Sequence, residues 1–429
     1  MLNRDPWHEK FDALTPEQLR AAGSLKWSEP QEPAGAIGMW LAEMDYGLAP
    51  AVADVLHAAA LSSGIGYACG RLCEDASAAA FEWYCENAAS SGCLGGRAGD
   101  GGLGAGAGLS DAPGAGTAAV TPAIYTVPNV LGVLELMLKK LIPAGAPVIV
   151  PTPAYMPMLT IPPRFGHPVI EVPSPVGADG RYELDLEAIE RALREQHAKL
   201  LILVNPWNPV GRVLSRAELE ALDAVMAQAP DARVFVDEIH CPLVLEGEFV
   251  PYATVSRNAA RQAVTAFAPT KGWNIPGLKV AYALLSQPSD AQTLEPEWSS
   301  FSELVPTVGL QAAVAACRDS RDWLASVKEY LRGNCEYFAQ RVAKLPGVKA
   351  APIEGTYIEW LDFSGAVGAG MIPAGVAPAN WVLEHAGVAL TDGAACGAGY
   401  ENYARIILAC PRPVLAQALD RIEQALRGE

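Results

Sequence analysis

Lys271 ends an apolar run inside the stretch TAFAPTKGWNIPGLK, residues 265 to 279, where an amine could be held against an aldehyde. Lysine is mostly a solvated surface residue, so taken alone this one carries no chemistry. Two further segments share its design. LLILVNPWNPVG (200–211) and RVFVDEIH (233–240) are buried-strand patterns that stop abruptly in polar residues. Asn205, Asp237, His240 and Lys271 therefore all fall just past the carboxyl ends of apolar strands, the edge at which open α/β sheets take their ligands.

An amine, a carboxylate, an amide and an imidazole at one sheet edge suit pyridoxal phosphate. That cofactor needs an amine for its aldehyde, a carboxylate for its ring nitrogen, a donor near its ring hydroxyl and a phosphate cup. Lys271 supplies the amine, activated when desolvation lowers its pKa. Asp237 can pair with the ring nitrogen and keep it protonated. Asn205 can donate to the ring oxygen, and equally reads as a turn residue ahead of Pro206. His240 falls near the same ring edge or is a buried, satisfied histidine. Ala123, Ile124 and Tyr125, on the apolar approach to a helix-like stretch within residues 120–138, are the candidate phosphate cup. Tyr155 follows the run VIV and can stack on the ring. Arg405 precedes IILAC, where its guanidinium could hold a substrate carboxylate bidentately, the alternative being a surface ion pair.

The elements that must position these residues follow from length and pattern. A chain of 429 residues, 51% hydrophobic and 18% charged, can bury a sizeable interior and is expected to divide into two or three units. After residue 120, apolar runs of strand length alternate with helical stretches such as SRAELEALDAVMAQA (215–229), with Ser215 as N-cap and Glu218 three residues on. Alternation of this kind implies a parallel sheet covered on both faces. From about residue 310 the pattern changes to a long amphipathic helix, 309–344, then short strands at GTYIEWLDF (355–363) and ARIILAC (404–410). The expected organisation is a large domain over 50–300, a small α+β domain over 301–429, and an N-terminal segment, 1–49, joining the small one. Residues 88–119 hold eleven glycines and almost no large side chain, so they are expected to form a flexible surface insertion. They contain no GxxxxGK[ST] phosphate loop.

The charge balance, 31 basic against 48 acidic residues for a net −17, argues against nucleic acid or an anionic membrane as partner. No apolar run approaches membrane-span length and the N-terminus lacks a signal-peptide core, so a soluble, cytoplasmic protein is expected. Nine scattered cysteines with no CxxC pair indicate neither a disulfide framework nor a metal site, and Cys241 beside His240 is expected to pack.

With these segments in place, the chain resembles the fold-type I pyridoxal-phosphate enzymes, and within them the MalY/PatB-like cystathionine β-lyases. The segments that carry the resemblance run from MWLAEMDYGLAPAV (39–52) through IGYACG, PTPAYMP, NPWNPVGR, VDEIHCPLV, APTKGWNIPGLK and GTYIEWLDF to YARIILACPR, with the glycine-rich insertion outside it. DEIHC followed some thirty residues later by AP[ST]K is specific for this branch, and aminotransferases of the same fold usually carry tyrosine where His240 stands. The resemblance implies an aspartate-aminotransferase-like fold, a large domain with a mostly parallel seven-stranded sheet plus a smaller α+β domain. It implies that Lys271 anchors the cofactor, Asp237 pairs with the ring nitrogen, Asn205 and His240 flank the ring oxygen, Tyr155 stacks, and Arg405 binds the substrate carboxylate. Tyr67 matches a tyrosine that reaches the neighbour's cofactor phosphate across a homodimer interface, and Lys279 stands where a phosphate-binding arginine is common. Gly272, Trp273 and Cys396 depart from the family's pattern. The activity implied is β-elimination from cystathionine or a related L-cysteine S-conjugate, giving a thiol, pyruvate and ammonia. The alternatives are an aminotransferase and a cofactor-binding regulator acting through a protein partner.

Overall fold

The strands Val148–Thr152, Leu200–Val204 and Ala263–Phe267 are buried at every position, as continuous apolar runs must be when a sheet is covered on both faces. In this computed structural model, which describes residues 5–29, 33–62, 64–88 and 122–429, they belong to a seven-stranded sheet. Its order is Ala123–Val127, Ala281–Leu285, Ala263–Phe267, Arg233–Asp237, Leu200–Val204, Val148–Thr152, Val169–Pro173. All run parallel except Ala281–Leu285, which is antiparallel to both its neighbours. The carboxyl ends of the parallel strands consequently open on one edge. Helix starts are set by capping residues: Ser215 and Glu218 form a reciprocal capping box on Arg216–Met226, and Asn129 caps Val130–Lys140.

A second sheet is antiparallel and built from C-terminal residues, in the order Thr391–Asp392, Tyr403–Ile407, Ile358–Asp362, Lys349–Ala350. The N-terminal residues pack with it. Ile37–Gly38 pairs parallel with Val388–Ala389, and Phe11 and Trp27 share one apolar cluster with Val388 and Leu415. The single helix expected over 309–344 is instead two, Thr307–Asp319 and Arg321–Val342. Ser320 breaks it: its backbone leaves the helical region (φ −125°, ψ 25°) and its Oγ donates back to the Ala315 carbonyl, while its own carbonyl accepts the Trp273 indole N–H. The first of these helices, expected on the C-terminal side of a boundary near residue 300, packs against Pro50–Ala60 and Gly70–Asn87. The chain therefore changes partners nearer Ser320. The glycine-rich stretch expected to be an insertion lies outside the described residues, Ala88 apart. No helix among the described residues is long and apolar enough to cross a membrane.

Candidate active site

Three strand ends and one loop build the floor of a cavity of about 580 Å³. Asp237, the last residue of its strand, is 2% exposed and accepts the Ile239 backbone N–H at 3.0 Å. Burial pushes its carboxyl up to about 6, with that hydrogen bond and the Lys271 charge opposing. Lys271 lies beyond the strand Ala263–Phe267 and donates from Nζ to the Ala42 carbonyl at 2.7 Å. Its side chain opens to the cavity yet is enclosed by protein, and this desolvation, seconded by Arg405, pulls the amine down to about 8. His240 follows the Asp237 strand, meets the Tyr357 ring edge-on at 6.1 Å, and has no partner for its buried Nδ1. Burial first, then Lys271 and Arg405, hold it well below its ordinary range, so the imidazole is neutral. All three line the cavity with Tyr155, whose phenol burial pushes up.

Arg405 reaches the same cavity from the second sheet. It is 3% exposed, and its Nη1 donates to Asn208 Oδ1 at 3.1 Å while Nη2 donates to the Trp40 carbonyl and to Thr391 Oγ1, each at 3.2 Å. Its Nε has no partner, and no carboxylate among the described residues pairs with it. Arginine stays protonated in proteins, so this is a buried cation held only by neutral acceptors. An uncompensated buried charge costs several kcal/mol, about the scale that an incoming anion would offset. The surface ion pair weighed as an alternative is excluded by the burial.

Several expected residues stand elsewhere. Asn205 is fully buried and outside the cavity lining; its Oδ1 accepts the Leu214 backbone N–H at 2.9 Å, while its Nδ2 has no partner. Asn208, three residues on, takes the cavity position. The turn causes this: Trp207 N–H bonds the Arg212 carbonyl and Gly211 N–H bonds that of Trp207, folding Asn208 back over the sheet edge. Ala123, Ile124 and Tyr125 do not form the cup. They are strand residues paired with Ala283, Leu284 and Leu285, and the Tyr125 ring stacks on Trp298 at 4.6 Å. The helix begins later than expected, at Val130, because Asn129 supplies the cap. Pro128, Asn129, Val130 and Leu131 line the cavity there, and the early N–H groups of a helix are free to meet an anion.

Thr270, preceding Lys271, is a cavity residue that the sequence reading passed over. Lys279 lines the cavity with a left-handed backbone (φ 52°) and an exposed side chain. Tyr67 is fully exposed and outside this cavity. Two of the departures are outside the cavity lining: a Cβ on Gly272 would come within 2.5 Å of Pro242, and Trp273 packs edge-on to Trp83 at 5.2 Å. Cys396 is buried outside the lining, its carbonyl bonded to the Ala154 N–H.

The donor set fits pyridoxal phosphate. A buried carboxylate faces where a ring nitrogen can be paired, a depressed amine meets an aldehyde, and a helix start with Thr270 and Lys279 suits a phosphate. The unpartnered His240 Nδ1 is a polar atom that a ring substituent can satisfy.

Residues 125–422 match the sequence profile of the family described as aminotransferase class I and II. The chain is 32% identical over 414 residues, 96% of its own length and 98% of the relative's, to a cystathionine β-lyase of Corynebacterium glutamicum. It is 29% identical over 309 residues, 70% of this chain and 76% of the relative, to the cystathionine β-lyase PatB of Bacillus subtilis. A crystal structure from Corynebacterium diphtheriae, described as a pyridoxal-phosphate-dependent β-cystathionase, superposes with a TM-score of 0.81 at 30% identity, covering 96% of this chain and 98% of that one.

Proposed function

The chain belongs to the aminotransferase class I and II family, and from that premise we infer that its cavity is the site of a carbon–sulfur β-lyase that uses pyridoxal phosphate and acts on cystathionine or a related L-cysteine S-conjugate. The observation that carries this reading is Arg405, a buried cation with no counter-ion, in one cavity with a depressed amine and a buried carboxylate.

The cofactor supplies an electrophilic aldehyde and a protonated ring that can take up the electrons of a broken Cα–H bond. Lys271 anchors it and then acts as the base, taking the substrate's α-proton at Nζ. An amine near pKa 8 is roughly one-tenth neutral at pH 7, where an ordinary lysine is almost wholly charged. Asp237 holds the ring nitrogen in its protonated form, and His240, being neutral, can accept or donate at the ring's oxygen side. Asn208 takes the role expected of Asn205, at the ring edge and on Arg405 together. Val130 and Leu131 amides, Thr270 and Lys279 receive the phosphate. Arg405 binds the substrate's α-carboxylate and Tyr155 packs on the ring. With water consumed, cystathionine yields homocysteine, pyruvate and ammonia.

We extend the reading to a homodimer. Leu61, Ile65, Tyr67 and Leu304 leave 81%, 69%, 106% and 64% of their surfaces exposed, an apolar group that a second copy would cover. Tyr67 would then serve the partner's phosphate.

The test is cystathionine turnover. The wild-type holoenzyme should release pyruvate with no 2-oxo acid present, and Lys271→Ala should lose both the cofactor's visible absorbance and pyruvate release. Strict dependence on a 2-oxo acid acceptor would make the protein an aminotransferase.

A further inference from the structure

One short segment contacts both cationic groups of the site. The carbonyl of Trp40 accepts from Arg405 Nη2 at 3.2 Å and from Thr391 Oγ1 at 2.8 Å. Two residues on, the carbonyl of Ala42 accepts from Lys271 Nζ at 2.7 Å and from the Tyr357 hydroxyl at 3.0 Å. A carbonyl's direction is set by its peptide plane, so whatever holds this backbone aims both cations. With one N–H of Lys271 committed to Ala42, the amine's lone pair is left for another direction, and after protonation the same carbonyl faces the ammonium.

The segment has an unusual anchor. Lys26, in the helix Leu25–Ser28, is completely buried and spends its three protons on Asp45 Oδ2 (2.9 Å), the Glu43 carbonyl (3.3 Å) and the Ala409 carbonyl (3.4 Å). The other oxygen of Asp45 accepts the Trp27 indole N–H at 2.8 Å, and the Trp40 indole N–H returns to the Lys26 carbonyl at 3.2 Å. Contact is direct at Gly38, where a Cβ would lie 2.0 Å from the Lys26 carbonyl oxygen. On the opposite side Asn274 grips Met44, accepting its N–H and donating to its carbonyl, both at 2.9 Å. The segment is thus pinned between the N-terminal residues and the loop that carries Lys271. A buried ion pair adds little net stability after its desolvation cost, so geometry is the better account of what this one supplies.

We propose that the buried Lys26–Asp45 ion pair is a positioning element of the active site, holding residues 40–45 so that the Trp40 and Ala42 carbonyls aim Arg405 and Lys271 into the cavity. The inference rests on the reading of those two residues as carboxylate ligand and base. Asp237, Glu43, His240, Arg405 and Lys279 also face Lys271, and none of them is altered by the test.

The decisive variant is Lys26→Met/Asp45→Asn, which removes both charges together and keeps an acceptor for Trp27. Expected in the holoenzyme are a melting temperature near that of the wild type, a KM raised and a kcat lowered by about tenfold each, since small misplacements of reacting groups are costly. The pH midpoint of the cofactor's visible absorbance should also move, by about half a unit, which a merely structural role would leave in place. Trp27→Phe removes only the indole tether and should shift the same three quantities in the same direction by less. Should the double variant not fold, Trp27→Phe decides. Wild-type KM, kcat and midpoint in a folded variant would overturn the proposal. Lys271→Ala separates the two readings: if it retained the visible absorbance, the assignment of the base would fail, whatever the positioning variants do.

Discussion

Asp237→Asn should stabilise the cofactor-free protein at pH 8 relative to its stability difference near pH 4. Asp237 is fully enclosed, and burial raises its carboxyl from 3.8 to about 6. The folded state therefore holds a proton that the unfolded chain releases between those two values. The sign follows: folding is favoured by this group below about pH 4, and the advantage is lost as pH rises through 6. The displacement of roughly 2 units corresponds to about 3 kcal/mol of destabilisation above pH 7, with roughly half of it present at pH 5. Asn keeps the oxygen that accepts the Ile239 N–H and never ionises, so its stability curve lacks this component. Its amide N–H groups need partners, which subtracts a constant of about 1–3 kcal/mol if none is found. The diagnostic is accordingly the change of the wild-type–variant difference with pH, not its absolute value. Urea unfolding of both apoproteins between pH 4 and 8 measures it. A difference constant within about 0.5 kcal/mol across that range would refute the account of a carboxylate held at an energetic disadvantage until a cation arrives. In the holoenzyme the same substitution should depress turnover by at least about 100-fold, because the ring nitrogen loses its anionic partner.

Two other substitutions probe the site. Arg405→Ala should raise KM for the amino-acid substrate by about 30-fold or more, the cost of a truncated buried charge pair, and should not destabilise the ligand-free protein, since it deletes an unpaired buried cation; steady-state kinetics and apoprotein melting read the two effects. Asn205→Ala and Asn208→Ala should differ in their effect on binding. The first orphans the Leu214 N–H and the second orphans Arg405 Nη1, so each should cost about 1–3 kcal/mol in urea unfolding of the apoprotein, but only the second should also raise KM and weaken cofactor binding; the reverse pattern of binding would restore Asn205 to the site.

Asp237, His240 and Lys271 were legible in the sequence because the signal is local. An apolar run that stops in a polar residue marks a buried strand's end, and in a parallel sheet all such ends share one edge. For the amide the same rule selects a different residue from the one that lines the cavity. It counts from the last apolar residue and so selects Asn205, whereas the turn through Trp207 and Gly211 carries Asn208 into the cavity and leaves Asn205 tied to Leu214. For the phosphate cup the same reading selects Ala123, Ile124 and Tyr125, which are strand residues, whereas the helix start that lines the cavity is fixed by the Asn129 side chain and not by where the strand's apolar pattern ends. In the helix broken at Ser320, amphipathic spacing continues across a break that only the hydrogen bonds to Ala315 and Trp273 reveal.

The chain's order of residues determined by itself the layered α/β architecture, the sheet edge on which the cavity opens, and the three side chains that end or follow its strands, because each is written in contiguous hydrophobic period. Tertiary structure alone decided that Arg405 is buried without a counter-ion and that Lys26 and Asp45 meet inside the protein. It also decided that the carbonyls of Trp40 and Ala42 receive the two cations. The contacts of Arg405 and Lys271 join residues hundreds of positions apart through backbone that every residue shares, and Lys26 and Asp45 meet across 19 positions with no periodic pattern between them, so no side-chain pattern announces them.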